Sequence, residues 1–193
     1  MAGKYEKVIG LDSSLPDLIL AKKLLESEGL LTVQLVQARG QALPFHQESF
    51  DFISAQNVLE HLFDPESVFR ECYRILRQGG GFTADSRNRF DLFFPEPHVK
   101  IRWVGLLPRR WAKSYVRLRR GMSYEATKLL SLGELRQGLR NNFGRHFRIL
   151  FADPNAYGAA PWTQRCLEVI KKIPGLRSMV LFIFPSHLVI AKR

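Results

Sequence analysis

Short apolar runs alternate with capped, helix-patterned segments through the first half of the chain. That alternation generates strands lying side by side with helices packed across them, so the predicted class is α/β with a mostly parallel sheet. Val8 to Leu11 is apolar and is stopped by Asp12, Ser13 and Ser14, as expected for a buried strand entering a helix. Ser14 can cap that helix, Pro16 is tolerated in its first turn, and Leu18, Ala21 and Leu25 recur at helical spacing until Gly29. Leu31 to Gln37 alternates apolar and polar residues, and Phe50 to Ala55 supplies another short run with a β-branched centre. Asp64 as N-cap and Pro65 then open a helix whose apolar face is Val68, Phe69, Cys72, Tyr73 and Leu76. Gly79, Gly80 and Gly81 are expected to stop it, with Gly81 to Asp85 as the next strand.

Regularity lapses over residues 86–124, where prolines, aromatics and arginines follow no clean period, and an insertion at about 86–130 on the sheet edge is expected. Beyond it, Ser131 with Glu134 forms a capping-box pair, and Phe147, Ile149 and Phe151 alternate as a strand. Thr163 to Lys172 reads as a helix and Val180 to Ala191 as the closing strand. The length of 193 residues suits a single domain, 1–193. The apolar stretch Met179 to Ala191 is interrupted by Pro185, Ser186 and His187 and falls short of the roughly 20 residues that a spanning helix needs. Cys72 and Cys166 lie far apart without metal-ligand spacing, and no apolar leader follows Met1. A reducing, cytoplasmic setting is therefore expected, and no metal site.

The net charge of +11 is unevenly placed. Residues 1–96 hold 10 basic and 14 acidic side chains, residues 97–124 hold 8 and none, and residues 125–193 hold 11 and 4. In the middle segment Lys100, Arg102, Arg109, Arg110, Lys113, Arg117, Arg119 and Arg120 interleave with Trp103, Leu106, Leu107, Trp111 and Tyr115. Such a mixture suits an anionic membrane surface, where aromatic rings sit at headgroup level and cations attract lipid. It equally suits a phosphorylated ligand or a solvated basic cover over a cleft. The stretch carries no nucleic-acid-binding motif, so nucleic acid is not an expected partner.

Ligands of alternating α/β sheets collect at the carboxyl ends of the strands. That rule selects Asp12 to Ser14, Ala38 to Phe45, Ala55 to His61, and Ser86 to Phe90. Asp12 is either an acceptor for the vicinal hydroxyls of a ribose, since a carboxylate has only acceptors, or a helix-capping aspartate.

Four stretches carry a specific resemblance. They are Val36-Gln37-Ala38-Arg39-Gly40-Gln41-Ala42-Leu43-Pro44-Phe45, Ser49-Phe50-Asp51-Phe52-Ile53-Ser54, Val58-Leu59-Glu60-His61-Leu62 with Asp64-Pro65, and Arg74-Ile75-Leu76-Arg77 with Gly79-Gly80-Gly81. In order and spacing they resemble the class I S-adenosylmethionine-dependent methyltransferases, type 11-like, over about residues 7–91. The resemblance implies a Rossmann-like sheet, mostly parallel with an antiparallel C-terminal strand, and S-adenosylmethionine as cofactor. It implies that Asp12, with Ser13 beside it, holds the cofactor ribose, that Gly40 and Gln41 lie against the adenine, and that Gln56 and Asn57 run under the methionine portion. Arg39 departs from the family, which commonly has aspartate there as an acceptor for the adenine amino group; arginine has donors only. The family's opening strand and G-x-G-x-G turn have no counterpart before Val8, so the first strand and helix are expected to be missing. A truncated chain, a remnant without catalysis and a complementing segment from another chain are the explanations weighed, with truncation the first.

Methyl transfer from a sulfonium is an in-line displacement, and for oxygen or nitrogen acceptors a base must remove a proton. His61 and His98 are the candidate catalytic bases; a packing role for His61 and a turn role for His98 are the plain alternatives. The expected function is methyl transfer to a small-molecule or lipid-like acceptor shielded by residues 86–130. Its rival is a noncatalytic methyltransferase remnant that binds, or associates with membrane, through its basic half.

Overall fold

The computed structural model describes residues 6–62, 64–124, 128–153, 169–170 and 172–193. The chain divides into two compact units, Met1–His46 and Gln47–Arg193. The first unit holds strand β1 (Val8–Asp12), helix α1 (Leu15–Ser27) and strand β2 (Val33–Gln37). β1 and β2 pair in parallel, with Val8 opposite Val33 and Asp12 opposite Gln37. The α1 crossover begins as expected: Ser14 is the N-cap, its hydroxyl accepts the Asp17 N–H, and proline occupies the first turn. Gly29, at φ +69°, supplies the left-handed turn after the helix.

The second unit is built on a four-stranded sheet of order β3-β4-β6-β5, where β3 is Phe50–Ala55, β4 Leu76–Arg87, β5 Phe147–Phe151 and β6 Ser186–Lys192. β3 and β4 are parallel, and β6 runs antiparallel to both of its neighbours. The predicted mostly parallel sheet with an antiparallel C-terminal strand is what forms. Helix α2 (Pro65–Ile75) buries Val68, Phe69, Cys72 and Ile75, and helix α4 (Leu132–Phe143) buries Leu132, Leu135, Leu139 and Phe143. They pack with Phe82, Ala84, Ile149 and Val189 of the sheet into one core. There the Phe82 and Phe143 rings stack at 5.5 Å while Phe69 meets Phe82 edge-on at 6.0 Å. Both bonds of the Ser131–Glu134 capping box are made at the start of α4. Cys72 is a free, buried thiol, pushed up to about 12 by burial and then by the Glu71 charge, so it behaves as an inert packing residue. Cys166 lies outside the described residues.

Three expectations about elements change. The glycine run does not end α2: the helix stops at Ile75, and β4 starts at Leu76 and passes through Gly79–Gly81. The glycines are nonetheless required, because a Cβ at Gly80 would lie 2.9 Å from the Arg77 carbonyl oxygen, and Gly79 has φ +77°. The stretch 109–120, read as irregular, is helix α3 (Arg109–Arg120), closed by Gly121 at φ 66°. It seats Ala112 and Val116 with Val99 and Val104 in a second, smaller cluster. The closing apolar run is not one strand, since helix α5 (Pro174–Ile183) precedes β6. Pro185 forces Phe184 into an extended conformation, φ −67° and ψ 144°, and so separates the two. The helix predicted over Thr163 to Lys172 lies largely outside the described residues.

Candidate functional site

In the first unit the parallel register brings the carboxyl ends of β1 and β2 together. Asp12 stands opposite Gln37, and the Ala38 N–H donates to the Asp12 carbonyl at 3.0 Å. Asp12 Oδ1 accepts the Ser14 N–H at 2.8 Å, and the Ser13 carbonyl accepts from Gln37 Nε2 at 3.2 Å, which locks the turn between strand and helix. Asp12 is exposed, and one oxygen in this turn leaves acceptor capacity on the carboxylate for a diol. Both roles weighed for Asp12, turn-capping and ligand-accepting, are thus open to one side chain. Gly40 and Gln41 form the tight turn between Arg39 and Ala42, which bridge antiparallel, with the Ala42 N–H donating to the Arg39 carbonyl at 3.0 Å. These residues fit the ribose and adenine roles, while the exposed Arg39 adds only donors.

In the second unit Gln56 and Asn57 follow β3. Gln56 Nε2 donates to Ser54 Oγ at 3.4 Å, and Asn57 adopts φ 53°, a left-handed conformation that asparagine tolerates better than most residues. The Asp85 carboxylate, next along from Ala84 which pairs with Ala55, accepts the Asn57 N–H at 2.5 Å and fixes this turn. His61 ends the 3₁₀ turn Leu59–His61 that comes next. Within it, Glu60 is buried, with Oε2 lacking a partner among the described residues and its backbone carbonyl accepting the Lys128 N–H at 2.8 Å.

The two candidate histidines, distant in sequence, meet. The rings of His61 and His98 stand edge to face with centroids 5.3 Å apart. His98 Nδ1 lies 2.6 Å from Oε1 of Glu96, a residue only 6% exposed. Glu96 Oε2 accepts the backbone N–H groups of His98 at 2.8 Å and Val99 at 2.7 Å, so the carboxylate cannot swing away. In the neutral imidazole, the acceptor oxygen of Glu96 selects the tautomer with the hydrogen on Nδ1 and leaves Nε2 as the acceptor nitrogen. A carboxylate that fixes one imidazole nitrogen and frees the other makes a general base. The sequence reading named His98 and missed Glu96, whose signal was a carboxylate two positions before the histidine in Pro95-Glu96-Pro97-His98.

Comparison with known proteins agrees with this architecture. Residues 1–84 match the family described as "Methyltransferase domain". The uncharacterized methyltransferase YcgJ of Bacillus subtilis is 30% identical over 112 residues, 58% of this chain and 42% of that protein. A demethylmenaquinone methyltransferase of Lactococcus lactis is 37% identical over 78 residues, 40% of this chain and 31% of that one. The crystal structure of YcgJ superposes with a TM-score of 0.61 at 18% identity, covering 100% of this chain and 84% of that one. The fold is that of the class I S-adenosylmethionine-dependent methyltransferases. Residues 1–84 are similar to that family, and S-adenosylmethionine is the cofactor bound in a solved structure of the same fold, a phosphoethanolamine N-methyltransferase of Haemonchus contortus. The chain spans half or less of the length of the curated relatives it matches.

Proposed function

We propose that the chain transfers a methyl group from S-adenosylmethionine to a small-molecule or lipid-like acceptor. The observation that carries the catalytic part is the buried Glu96 carboxylate on Nδ1 of His98, with His61 against the same ring. S-adenosylmethionine, when bound, supplies an electrophilic methyl on a sulfonium; in the first unit, Asp12 and Ser13 with the Gly40–Gln41 turn are the residues that would hold its nucleoside. His98 Nε2 takes the proton that an acceptor hydroxyl or amine gives up as it gains the methyl, and Glu96 balances the imidazolium so formed. His61 packs on the ring and fixes its orientation. The relative from Lactococcus lactis is named for methylating demethylmenaquinone, which supports an acceptor of small, apolar-bodied type here.

Calorimetric titration with S-adenosylhomocysteine tests the assignment. Binding in the range of about 1 μM, lost on Asp12→Ala, is the expected result. A folded protein that shows no binding overturns it, and the noncatalytic binding module then stands in its place. In a labelled-methyl assay, His98→Gln is expected to slow transfer by about 10²–10⁴ while leaving S-adenosylhomocysteine affinity unchanged.

The outer face of α3 supports a peripheral, cytoplasmic-side position on an anionic membrane. Trp111 and Leu118 are seven residues apart on one helix stripe, 58% and 85% exposed, and Arg110, Ser114 and Arg117 flank them. This is the pattern of a helix lying in the headgroup plane. Among the described residues no helix is long and apolar enough to cross a membrane.

A further inference from the structure

The segment between β4 and α3 holds the candidate base His98 and, a few residues to either side, apolar side chains that face water. Phe93, Trp103 and Leu106 are each 50% or more exposed, with Leu92 close behind. Hydrogen bonds across the loop gather them: Trp103 Nε1 donates to the Leu92 carbonyl at 3.2 Å, Arg102 Nη1 to the Phe93 carbonyl at 3.1 Å, and the Leu106 N–H to the Trp103 carbonyl at 3.0 Å. The loop that presents them is fixed. Asp91 Oδ1 accepts the Phe93 and Phe94 N–H groups at 2.7 and 3.1 Å, and behind the patch Val99 and Val104 are buried with Ala112 and Val116. Trp103 stands at φ 61° and Lys100 at φ 56°, a left-handed conformation that bulky side chains rarely adopt. Strained backbone that turns an indole toward solvent gains nothing in the core, and residues held this way mark contact sites.

The surroundings say what covers the patch. Lys100 and Arg102 lie in the same loop, and residues 97–124 hold 8 basic and no acidic side chains. Headgroup layers of anionic bilayers take up this combination: indole settles at the boundary, phenylalanine and leucine reach the first acyl carbons, and the cations meet lipid phosphate. Leu106 also ends the 3₁₀ turn Val104–Leu106, which leads through Pro108 into α3, whose outer face carries Trp111 and Leu118. His98 lies between the arms of the patch. Its segment is closed by the Glu96 N–H on the Ile101 carbonyl at 3.0 Å and by the Lys100 N–H on the Glu96 carbonyl at 2.8 Å, so the base travels with the loop.

We propose that Leu92, Phe93, Trp103 and Leu106 form a wedge that inserts into an anionic lipid bilayer and sets His98 at headgroup depth, so that an apolar-bodied acceptor reaches the base from the lipid. The choice of an anionic bilayer rests on the membrane reading of α3, and the acceptor's route on the methyltransferase reading; the wedge rests on the loop alone.

Trp103 is its own probe in the full chain carrying Trp111→Phe and Trp162→Phe, where no other tryptophan remains. On phosphatidylglycerol–phosphatidylcholine vesicles its emission should shift to the blue and be quenched by lipids brominated near the headgroup. Phe93→Ser with Leu106→Ser should weaken vesicle binding by about tenfold, while the urea midpoint stays unchanged. Diethyl pyrocarbonate should modify His98 more slowly on vesicles than in buffer, and the double serine variant should lose that protection. S-adenosylhomocysteine affinity should be the same in all these variants, which keeps the enzyme assignment separate from the membrane one. Vesicle binding with unchanged Trp103 emission overturns the wedge and leaves the α3 reading standing. Insertion of Trp103 that Leu118→Ser does not weaken does the opposite. A folded chain that binds no vesicles ends both, and His98 modified equally fast with and without vesicles removes the placement of the base. Self-association without lipid, abolished by the double serine variant, assigns the patch to a second copy and overturns the wedge as well.

Discussion

His187 has no exposed surface, its Nε2 donates to the Leu181 carbonyl at 2.8 Å, and its Nδ1 has no partner among the described residues. Burial pushes its pKa below the ordinary 6.5, Arg136 adds to that, and the Leu181 bond only partly opposes it. The unfolded chain therefore takes up this proton at a higher pH than the folded one. Stability contributed by neutral His187 is complete above the unfolded pKa and declines as pH falls from about 6.5 toward the folded value, by at most about 1.4 kcal/mol per pH unit. Urea titrations at pH 7.5 and 5.5 should show the loss, and His187→Gln should remove most of the difference. Glu134 is held below the usual carboxylate range because hydrogen bonds from Ser131 and Arg109 outweigh its burial, and Asp64 is lowered by its bonds from Ser67. Their contributions disappear only at lower pH, below about 4.5, so the windows separate. Glu96→Gln tests positioning at the candidate site: it should cut the rate of methyl transfer by about 10–100-fold with little change in KM, since the amide can hold the ring but cannot balance an imidazolium. His61 and His98 were legible in the sequence as candidate bases, His61 near the inferred cofactor face and His98 in the insertion of about 86–130. The burial of Glu96 and the meeting of the two rings were not, because the fold alone brings those neighbours together.

The elements that sequence reading placed well are those whose signals are local. The Ser14 cap, the Asp64-Pro65 start and the Ser131–Glu134 box each act within one turn, and all three helices begin where those residues stand. Ser131→Ala should cost about 1 kcal/mol in urea unfolding, the usual value of a lost N-cap. The elements that were misread end for distant reasons. The carbonyls of Arg74, in the last turn of α2, and of Leu76, the residue after it, accept from Arg193 Nη1 at 2.9 and 2.5 Å, so a residue at the far end of the chain holds the point where the helix stops. No pattern around Gly79 to Gly81 could reveal that. Helix α3 was hidden because its packed face is only Ala112 and Val116, too narrow to stand out among so many cations. Its entry depends on close approach at Gly105, where a Cβ would lie 1.7 Å from the Arg89 carbonyl oxygen. Gly105→Ala should destabilise the protein by about 1–3 kcal/mol, read as a lower urea midpoint. On the outer face, Leu118→Ser should leave unfolding unchanged and reduce sedimentation with anionic vesicles. Raising salt should do the same, since the Debye length shortens from about 10 Å at 0.1 M. Salt-insensitive vesicle binding would remove the membrane role.

Apolar burial is distributed very unevenly over the whole chain. Both hydrophobic clusters belong to the second unit, from Leu59 to Ala191 and from Val99 to Val116. Among the described residues of the first unit Leu18 is the buried apolar one, while Leu15, Ile19, Leu20, Leu24 and Leu31 are 50% or more exposed. The sequence pattern of residues 8–37 was read correctly as strand, helix and strand, yet pattern reports the direction in which side chains point and not what covers them. A two-stranded sheet with one helix is marginal in water without further cover, whereas four strands with helices on a shared core meet the ordinary requirement for independent stability. Folding free energy should therefore reside in residues 47–193. A fragment of those residues should keep a cooperative urea transition and its near-ultraviolet aromatic signal, with a midpoint close to that of the full chain. A fragment of residues 1–46 should show no cooperative transition. If the larger fragment is instead unfolded in buffer, or loses most of the midpoint, its clusters are insufficient alone and the stability of the sheet built on β4 depends on the first unit.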